Sequence, residues 1–395
     1  MMKKPQKGLM SLCTLACLLA INNVQAQTKP ISQYSDTTND TWSVYIKGFI
    51  QTDAMLDFQK MKFKDGFRTP SILIPQENSM NSNFSVKQSQ IRLSIKQTDS
   101  EGNSDLSAYV EVDFLGSNGT TAPRFRQGYL KWKNLLVGQT WSNFSDFDFF
   151  PNIIDFVGPN GSMLIRTIQV RYSIPISKKE VLSLSLEDPN TTNIFLREGN
   201  TNWIKKSIIP IMTAVYRYGN AKDYVKVGGI LSPISYEIKD EVLQQASNKT
   251  VLGYGGMISA RLYSNEVDNI RVQSSYGKGY SSYNTVLGGE KYDAVPDLQN
   301  NRLETLKLFN ILGAYEHWWA SQWSSTVYYS YSELGKKDFI PENMIQNFQN
   351  LGVNLIYHPY KKLKFGTEGS YGKLSNFGRQ KAEAFRLQFS SVLSF

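Results

Sequence analysis

The sequence predicts an all-β protein: a transmembrane, antiparallel, up-and-down β-barrel of about sixteen strands with an inward-folded third loop. Three observations carry that expectation. The chain stops on the last aromatic of a full-length amphipathic strand, its composition is polar yet aromatic-rich, and its connections alternate between short and long.

The last segment spans residues 384–395. Phe395, Leu393, Ser391, Phe389, Leu387 and Phe385 fall on one face, and Ser394, Val392, Ser390, Gln388 and Arg386 on the other. That is the length a tilted strand needs to cross a bilayer. A strand ending on Phe395 resembles the closing strand of Gram-negative outer-membrane barrels, which implies recognition by the barrel assembly machinery. Composition agrees. The chain has 22 Tyr, 21 Phe and 7 Trp, with a mean hydropathy of −0.35. Transmembrane strands give this combination, because lipid-facing residues alternate with polar lumenal ones and aromatic girdles sit at the rims.

Residues 1–26 read as a signal peptide: Lys3, Lys4 and Lys7, then an apolar run, then Val24-Gln25-Ala26 as a small-residue cleavage site. Both cysteines, Cys13 and Cys17, lie within it, so the mature chain is expected to carry neither disulfides nor thiolate metal sites. The net charge of +9 includes those three lysines. The modest remainder, without a basic run or stacking platform, gives no footprint for nucleic acid. Residues 27–41 read as a short, mobile, periplasmic lead-in, and residues 42–395 as one barrel domain.

The first strand is expected at residues 42–56, with Val44, Ile46, Ile50, Ala54 and Leu56 opposite Tyr45, Lys47, Gln51 and Asp53. Further strands are expected at 84–96, 106–114, 123–133, 135–142, 166–174, 182–186, 212–218 and 224–231. The remainder fall at 251–263, 269–276, 304–317, 322–332, 348–357, 363–371 and the closing segment. Connections at 175–180, 219–223, 264–268, 318–321 and 358–362 are short, whereas 187–208 and 277–302 are long and polar. Short periplasmic turns and long external loops give that alternation, and about sixteen strands enclose an aqueous channel. Trp132, Trp141, Trp318, Trp319, Trp323, Tyr357 and Tyr360 lie near strand ends, where interfacial rings sit.

The most distinctive block runs Arg124-Phe125-Arg126-Gln127-Gly128-Tyr129-Leu130, Gly138-Gln139-Thr140-Trp141-Ser142, Asp155-Phe156-Val157-Gly158-Pro159 and Arg166-Thr167-Ile168-Gln169-Val170-Arg171-Tyr172. Gln88-Ser89-Gln90-Ile91-Arg92-Leu93 and Glu111-Val112-Asp113-Phe114 precede it. In order and spacing this resembles the DcaP-like family of outer-membrane porins. The resemblance implies a sixteen-stranded homotrimer in the Gram-negative outer membrane that passes small anionic solutes, dicarboxylates among them. The chain departs from the family at its front end. Residues 27–41 show no heptads to match the family's helical extension, so trimerisation would rest on barrel-to-barrel contacts.

Residues 143–165 form the third long loop and the natural constriction, carrying Phe144, Phe147, Phe149, Phe150 and Phe156 with Asp146, Asp148 and Asp155. A loop that apolar is poorly placed in open water. Arg92, Arg171, Arg261, Arg271 and Arg386 are expected to point inward by alternation, joined by Arg124, Arg126, Arg166 and Arg217. An arginine facing lipid at mid-bilayer costs roughly 2–4 kcal/mol. Guanidinium groups stay charged and grip carboxylates in a planar fork, so such a ladder would favour anions. Against this, Asp53, Glu111, Asp113 and Glu316 are available to neutralise about half of them and stiffen the wall.

No catalytic residue, metal site or cofactor is expected. His317 and His358 are the only histidines, both near short turns, where rim hydrogen bonding is their expected role. The Gly-rich pieces at 253–256 and 277–279 lack the helix and Lys-Ser/Thr of a phosphate cradle and read as strand packing. Two other functions stay open at the level of sequence: an outer-membrane barrel enzyme of lipase or protease type, and a secreted, soluble β-rich binding protein.

Overall fold

A computed structural model describes residues 30–35, 40–102, 104–196, 202–239 and 246–395; the leader expected at 1–26 lies outside the described residues. In chain order the strands are β1 (Ser32–Ser35), β2 (Thr41–Asp57), β3 (Asn81–Ser85), β4 (Gln90–Thr98), β5 (Leu106–Asp113), β6 (Arg124–Trp132) and β7 (Leu135–Trp141). Next come β8 (Arg166–Pro175), β9 (Glu180–Glu187), β10 (Trp203–Lys206), β11 (Ile211–Gly219), β12 (Tyr224–Lys239), β13 (Ala246–Tyr263) and β14 (Asn269–Lys278). The last are β15 (Ala294–Asp297), β16 (Arg302–Thr305), β17 (Lys307–Ala320), β18 (Trp323–Leu334), β19 (Ile345–Tyr360), β20 (Leu363–Asn376) and β21 (Lys381–Ser394).

Sixteen of these form an antiparallel ring: β2, β4 to β9, β11 to β14, and β17 to β21. The ring shuts where β2, already paired to β4, also pairs with β21 from Phe49↔Ser394 to Asp57↔Arg386. The seam runs to the last residue. The Phe395 N–H donates to the Gly48 carbonyl (3.0 Å), and the Gly48 N–H donates to that of Phe395 (3.1 Å). Along the staves the alternation holds: Ile91, Val110, Ile168, Val170, Val227 and Ile258 face outward and exposed, while Gln90, Glu111, Gln169, Ser259 and Gln273 face inward and buried.

The strands depart from the expected pattern in five places. The lead-in is not wholly free, since Ser32–Ser35 pairs back on β2 as a hairpin. The second stave is broken: β3 meets β2 at Asp53↔Ser85 and β4 meets it at Phe49↔Gln90, one extra residue lying between. A bulge between β5 and β6 leaves Arg126 unmatched between Gln127 and Phe125, so Arg126 and Gln127 both turn inward. Residues 302–305 do not belong to the stave expected at 304–317; they pair with β15 in a separate hairpin. Finally, β12 and β13 run to 16 and 18 residues, further than a bilayer requires.

The lumen is not uniformly aqueous. Long loops turn into it and pack a cluster containing Phe67, Phe144, Met163, Tyr280, Tyr283 and Leu306, all at most 1% exposed. Among the rim aromatics, Trp132, Trp319, Trp323 and Tyr360 are exposed as interfacial rings should be. Trp141 and Trp318 are not: Trp141 stacks on Phe147 of the third loop (4.9 Å), and Trp318 stacks on His358 (4.8 Å).

Gly48 is where closure tolerates no side chain. A Cβ there would sit 2.2 Å from the Gln90 carbonyl oxygen and 2.8 Å from the Phe395 ring. Gly48→Ala should therefore destabilise the closed barrel by about 1–3 kcal/mol, read as a lower urea midpoint for loss of the heat-modifiable gel band; an unchanged midpoint would show that the seam yields.

Candidate functional site

The third loop, residues 143–165, is held inside the barrel by its own backbone. The Ser145 carbonyl accepts from Lys226 Nζ, and the Asp146 carboxylate accepts from the hydroxyls of Tyr224 (2.9 Å) and Ser259. Arg271 donates to the carbonyls of Phe149 (3.0 Å) and Phe150. The Asn152 carbonyl takes bonds from Thr326 (2.8 Å) and Asn354 (3.1 Å). At Ile154 the carbonyl accepts from Gln51 (3.1 Å) and Gln388 (3.3 Å), while its N–H donates to Glu368 (2.9 Å). The returning limb donates from Asn160 to Asn350, from Gly161 to Ser330 and from Met163 to Gln273. A loop turned into a lumen must satisfy its amides on the wall, and these polar inward positions on β2, β12 to β14 and β18 to β21 do so.

Toward β5 and β6 the loop presents the ring of Phe156, with the Arg124 and Arg126 guanidinium carbons 5.8 and 5.3 Å from its centroid. Behind that ring lies the densest charge cluster of the wall. Arg124 grips Asp113 with two bonds (3.0 and 2.6 Å), and Arg126 bridges Glu111 (2.6 Å) and Asp113 (2.7 Å). Arg92 also reaches Glu111, at 3.0 Å. Glu111, Asp113 and Arg126 are buried, whereas the Arg92 and Arg124 side chains stay more than a third exposed. Arg166 shares the parity of lipid-facing Ile168. Its guanidinium nevertheless lies over Trp141 (5.0 Å), within electrostatic reach of Arg124, Arg126, Asp113 and Glu111, and one of its NH groups is buried without a partner. Arg171 is half-buried on the inward face of β8, near Glu187 and Tyr129, with no ion pair among the described residues. Five guanidinium groups thus face three carboxylates, Glu111, Asp113 and Glu187.

The other expected pore residues serve the scaffold. Arg386 is wholly buried and paired with Asp57 (2.6 and 2.9 Å), so it does not line an open pore. Arg271 is buried between Glu316 (2.8 Å) and the loop carbonyls. Arg217 and Arg261 bond the short turn at 220–222, and Arg261 also bonds the Asp148 carbonyl. Among the described residues Asp53 meets no arginine; Gln51, Gln388 and Ser390 donate to it. Phe144, Asp146 and Asp155 are buried rather than facing the passage; of the loop's expected residues Phe147 and Asp148 are exposed, Asp148 lying 3.9 Å from Arg217. Packing decides this: Phe144 meets Tyr280 and Tyr283 edge-on at 6.0 Å, and Asp155 caps the amides of Phe67, Val157 and Gly158. Burial pushes the Asp155 carboxyl above the usual range, which the Arg386 charge and those amides partly offset.

The two histidines hold rim contacts. His317 bonds Asp268 (2.8 Å), and His358 bonds Ser324 (3.0 Å), whose hydroxyl is buried and also accepts from Asn152. A hydroxyl and an orienting carboxylate therefore sit on different histidines, unlike the arrangement in which one imidazole joins both. The glycines at 253 and 277 mark close strand approach: a Cβ would lie 2.6 Å from the Gly279 carbonyl oxygen and 2.1 Å from that of Tyr254, respectively.

Asp155→Ala should free the loop limb it caps. Bonds to a charged acceptor contribute about 1.5–3 kcal/mol each, so single-channel conductance should rise and flicker while the gel band stays heat-modifiable. Unchanged conductance would mean that the remaining bonds hold the loop alone.

The family model for the DcaP outer membrane protein matches residues 11–393. No curated protein sequence matches significantly. Among solved structures, the outer membrane channel DcaP of Acinetobacter baumannii superposes with a TM-score of 0.75 at 20% identity, covering 92% of this chain and 100% of that one. A trimer form of OmpT from Vibrio cholerae gives 0.52 at 12% identity, covering 90% and 99%. Salmonella typhi OmpF in complex with daunomycin gives 0.51 at 8%, covering 92% and 100%. With its closed sixteen-stranded ring and polar lumen, the chain belongs to the DcaP outer membrane protein family and is an outer-membrane porin.

Proposed function

We propose that this porin passes small anionic solutes by passive diffusion, dicarboxylates included, along the wall formed by β4, β5, β6 and β8. The observation that carries the reading is the guanidinium excess there: Arg92, Arg124, Arg126, Arg166 and Arg171 against Glu111, Asp113 and Glu187. A cationic cleft with low-dielectric walls concentrates anions. The arginines left unsaturated, with their forked donors, suit carboxylates in particular. Phe156 opposite would narrow the passage. Diffusion down a gradient needs neither a cofactor nor a covalent step. The protein would act as a homotrimer, by analogy with the trimer form of the Vibrio cholerae OmpT, and Phe395 at the seam would present the assembly signal.

Reconstituted in a planar bilayer under a KCl gradient, the protein should give stepwise channels with an anion-directed reversal potential. A unit charge about 7 Å from the permeating ion is worth roughly 0.6 kcal/mol in water. An anion loses that attraction and a cation that repulsion, so Arg171→Ala, which removes a cation without an ion pair, should lower the anion-to-cation permeability ratio about sevenfold. A cation-directed potential in the unaltered protein would overturn the anion reading and leave the porin.

A further inference from the structure

Below the arginine wall the inward face keeps its positive charge and loses its carboxylates. Strand register sets out the row. Lys96 of β4 stands opposite Ser107 of β5, and Ser107 stands opposite Lys131 of β6. All three share the inward parity of Arg92, Glu111 and Gln127, and both lysines are exposed. Two strand spacings put their Cα atoms roughly 10 Å apart, with the Ser107 hydroxyl between them. Lys96 Nζ also lies over the ring of inward-facing Tyr45, at 6.0 Å.

This row is at the periplasmic mouth, because the adjoining turns at 133–134 and 99–105 are on the end where Phe395 closes the seam. There it opens into a cleft of about 590 Å³ that also includes Lys133, Asn134 and Asp105. Lys133 meets Asp105 at 3.5 Å. Lys96 and Lys131 have no ion-pair partner among the described residues, and neither does Lys47, two inward rungs higher on β2 and opposite Arg92. Glu111 and Asp113 have no counterpart on this rung of β4, β5 and β6.

We propose that Lys96, Ser107, Lys131 and Lys133 form a second anion subsite at the periplasmic mouth, which holds a small dicarboxylate between the two flanking ammonium groups. A ligand with two carboxylates can engage Lys96 and Lys131 at once and take a hydrogen bond from Ser107. A monocarboxylate can engage only one side. With Lys47 added to the rung of Arg92, the arginine wall and this row make a cationic track whose lower end carries fewer counter-charges. The subsite deepens the anion-porin reading and rests on it.

The test uses the folded full-length barrel in a planar bilayer, with succinate and acetate as probes added from each side. The triple variant Lys96→Gln, Lys131→Gln, Lys133→Gln should keep an anion-directed reversal potential from the arginines. It should weaken succinate binding from the turn-bearing mouth about tenfold and change acetate by no more than about twofold. Unchanged succinate binding, or equal loss of succinate and acetate, would overturn the subsite while leaving the anion-directed constriction standing. A cation-directed potential in the unaltered protein would remove both. If the triple variant loses its heat-modifiable band, Lys131→Gln and Lys131→Arg carry the test. The arginine variant should retain succinate binding and the glutamine variant lose it; identical behaviour of the two would overturn the subsite.

Discussion

A peptide group in hydrocarbon has no water to bond, so every N–H and C=O that crosses the membrane as a strand must find a neighbouring strand. Closure follows from that constraint, and closure here comes down to β2. That strand pairs with β4 on one side and with β21 on the other, and Gly48 and Phe395 exchange the last two bonds of the seam. The alternation of inward and outward side chains then follows for every stave. The lipid face takes the apolar residues and the lumen receives the glutamines, serines, carboxylates and arginines.

The lumen in turn decides the fate of the loops. A ring of this size encloses more volume than inward side chains alone can fill, so long external loops can fold back and bury their aromatics. The third loop does this without leaving its backbone unsatisfied, because Gln51, Asn354, Glu368 and Gln388 meet it from the wall. Its attachment is one-sided. Polar groups of the far staves bind its amides, and toward β5 and β6 it offers the Phe156 ring. The arginine-bearing wall, where the Arg92 and Arg124 side chains stay more than a third exposed, is the side proposed to meet a solute.

The fold was legible because it rests on a period of two, which a sequence displays openly. The inward positions of Arg92 and Arg171 followed from the same period. What stayed hidden depended on contacts distant in sequence. The bulge that turns both Arg126 and Gln127 inward is a one-residue register slip between β5 and β6, and alternation within one strand cannot display it. Arg386 and Arg271 look like their pore-facing counterparts until Asp57 and Glu316, on neighbouring staves, are seen to neutralise them. Asp155 looks like a constriction acid, yet it caps three amides, one of them in the first long loop. The lysines of the lower rung were passed over because each stands alone in the sequence; only strand register sets Lys96 and Lys131 on either side of Ser107.

In the proposed function the inward face of β4 borders a cationic, water-accessible passage. The chain's two cysteines, Cys13 and Cys17, precede the described residues, so one new thiol on that face can report its surroundings. Ser94 lies between Arg92 and Lys96, with Tyr45 and Tyr109 opposite it on either side. Ser94→Cys in the folded barrel should react with an anionic thiosulfonate roughly tenfold faster, relative to a cationic one, than free thiol does. Equal or reversed rates would contradict a cationic passage, and no reaction with either reagent would contradict an aqueous one.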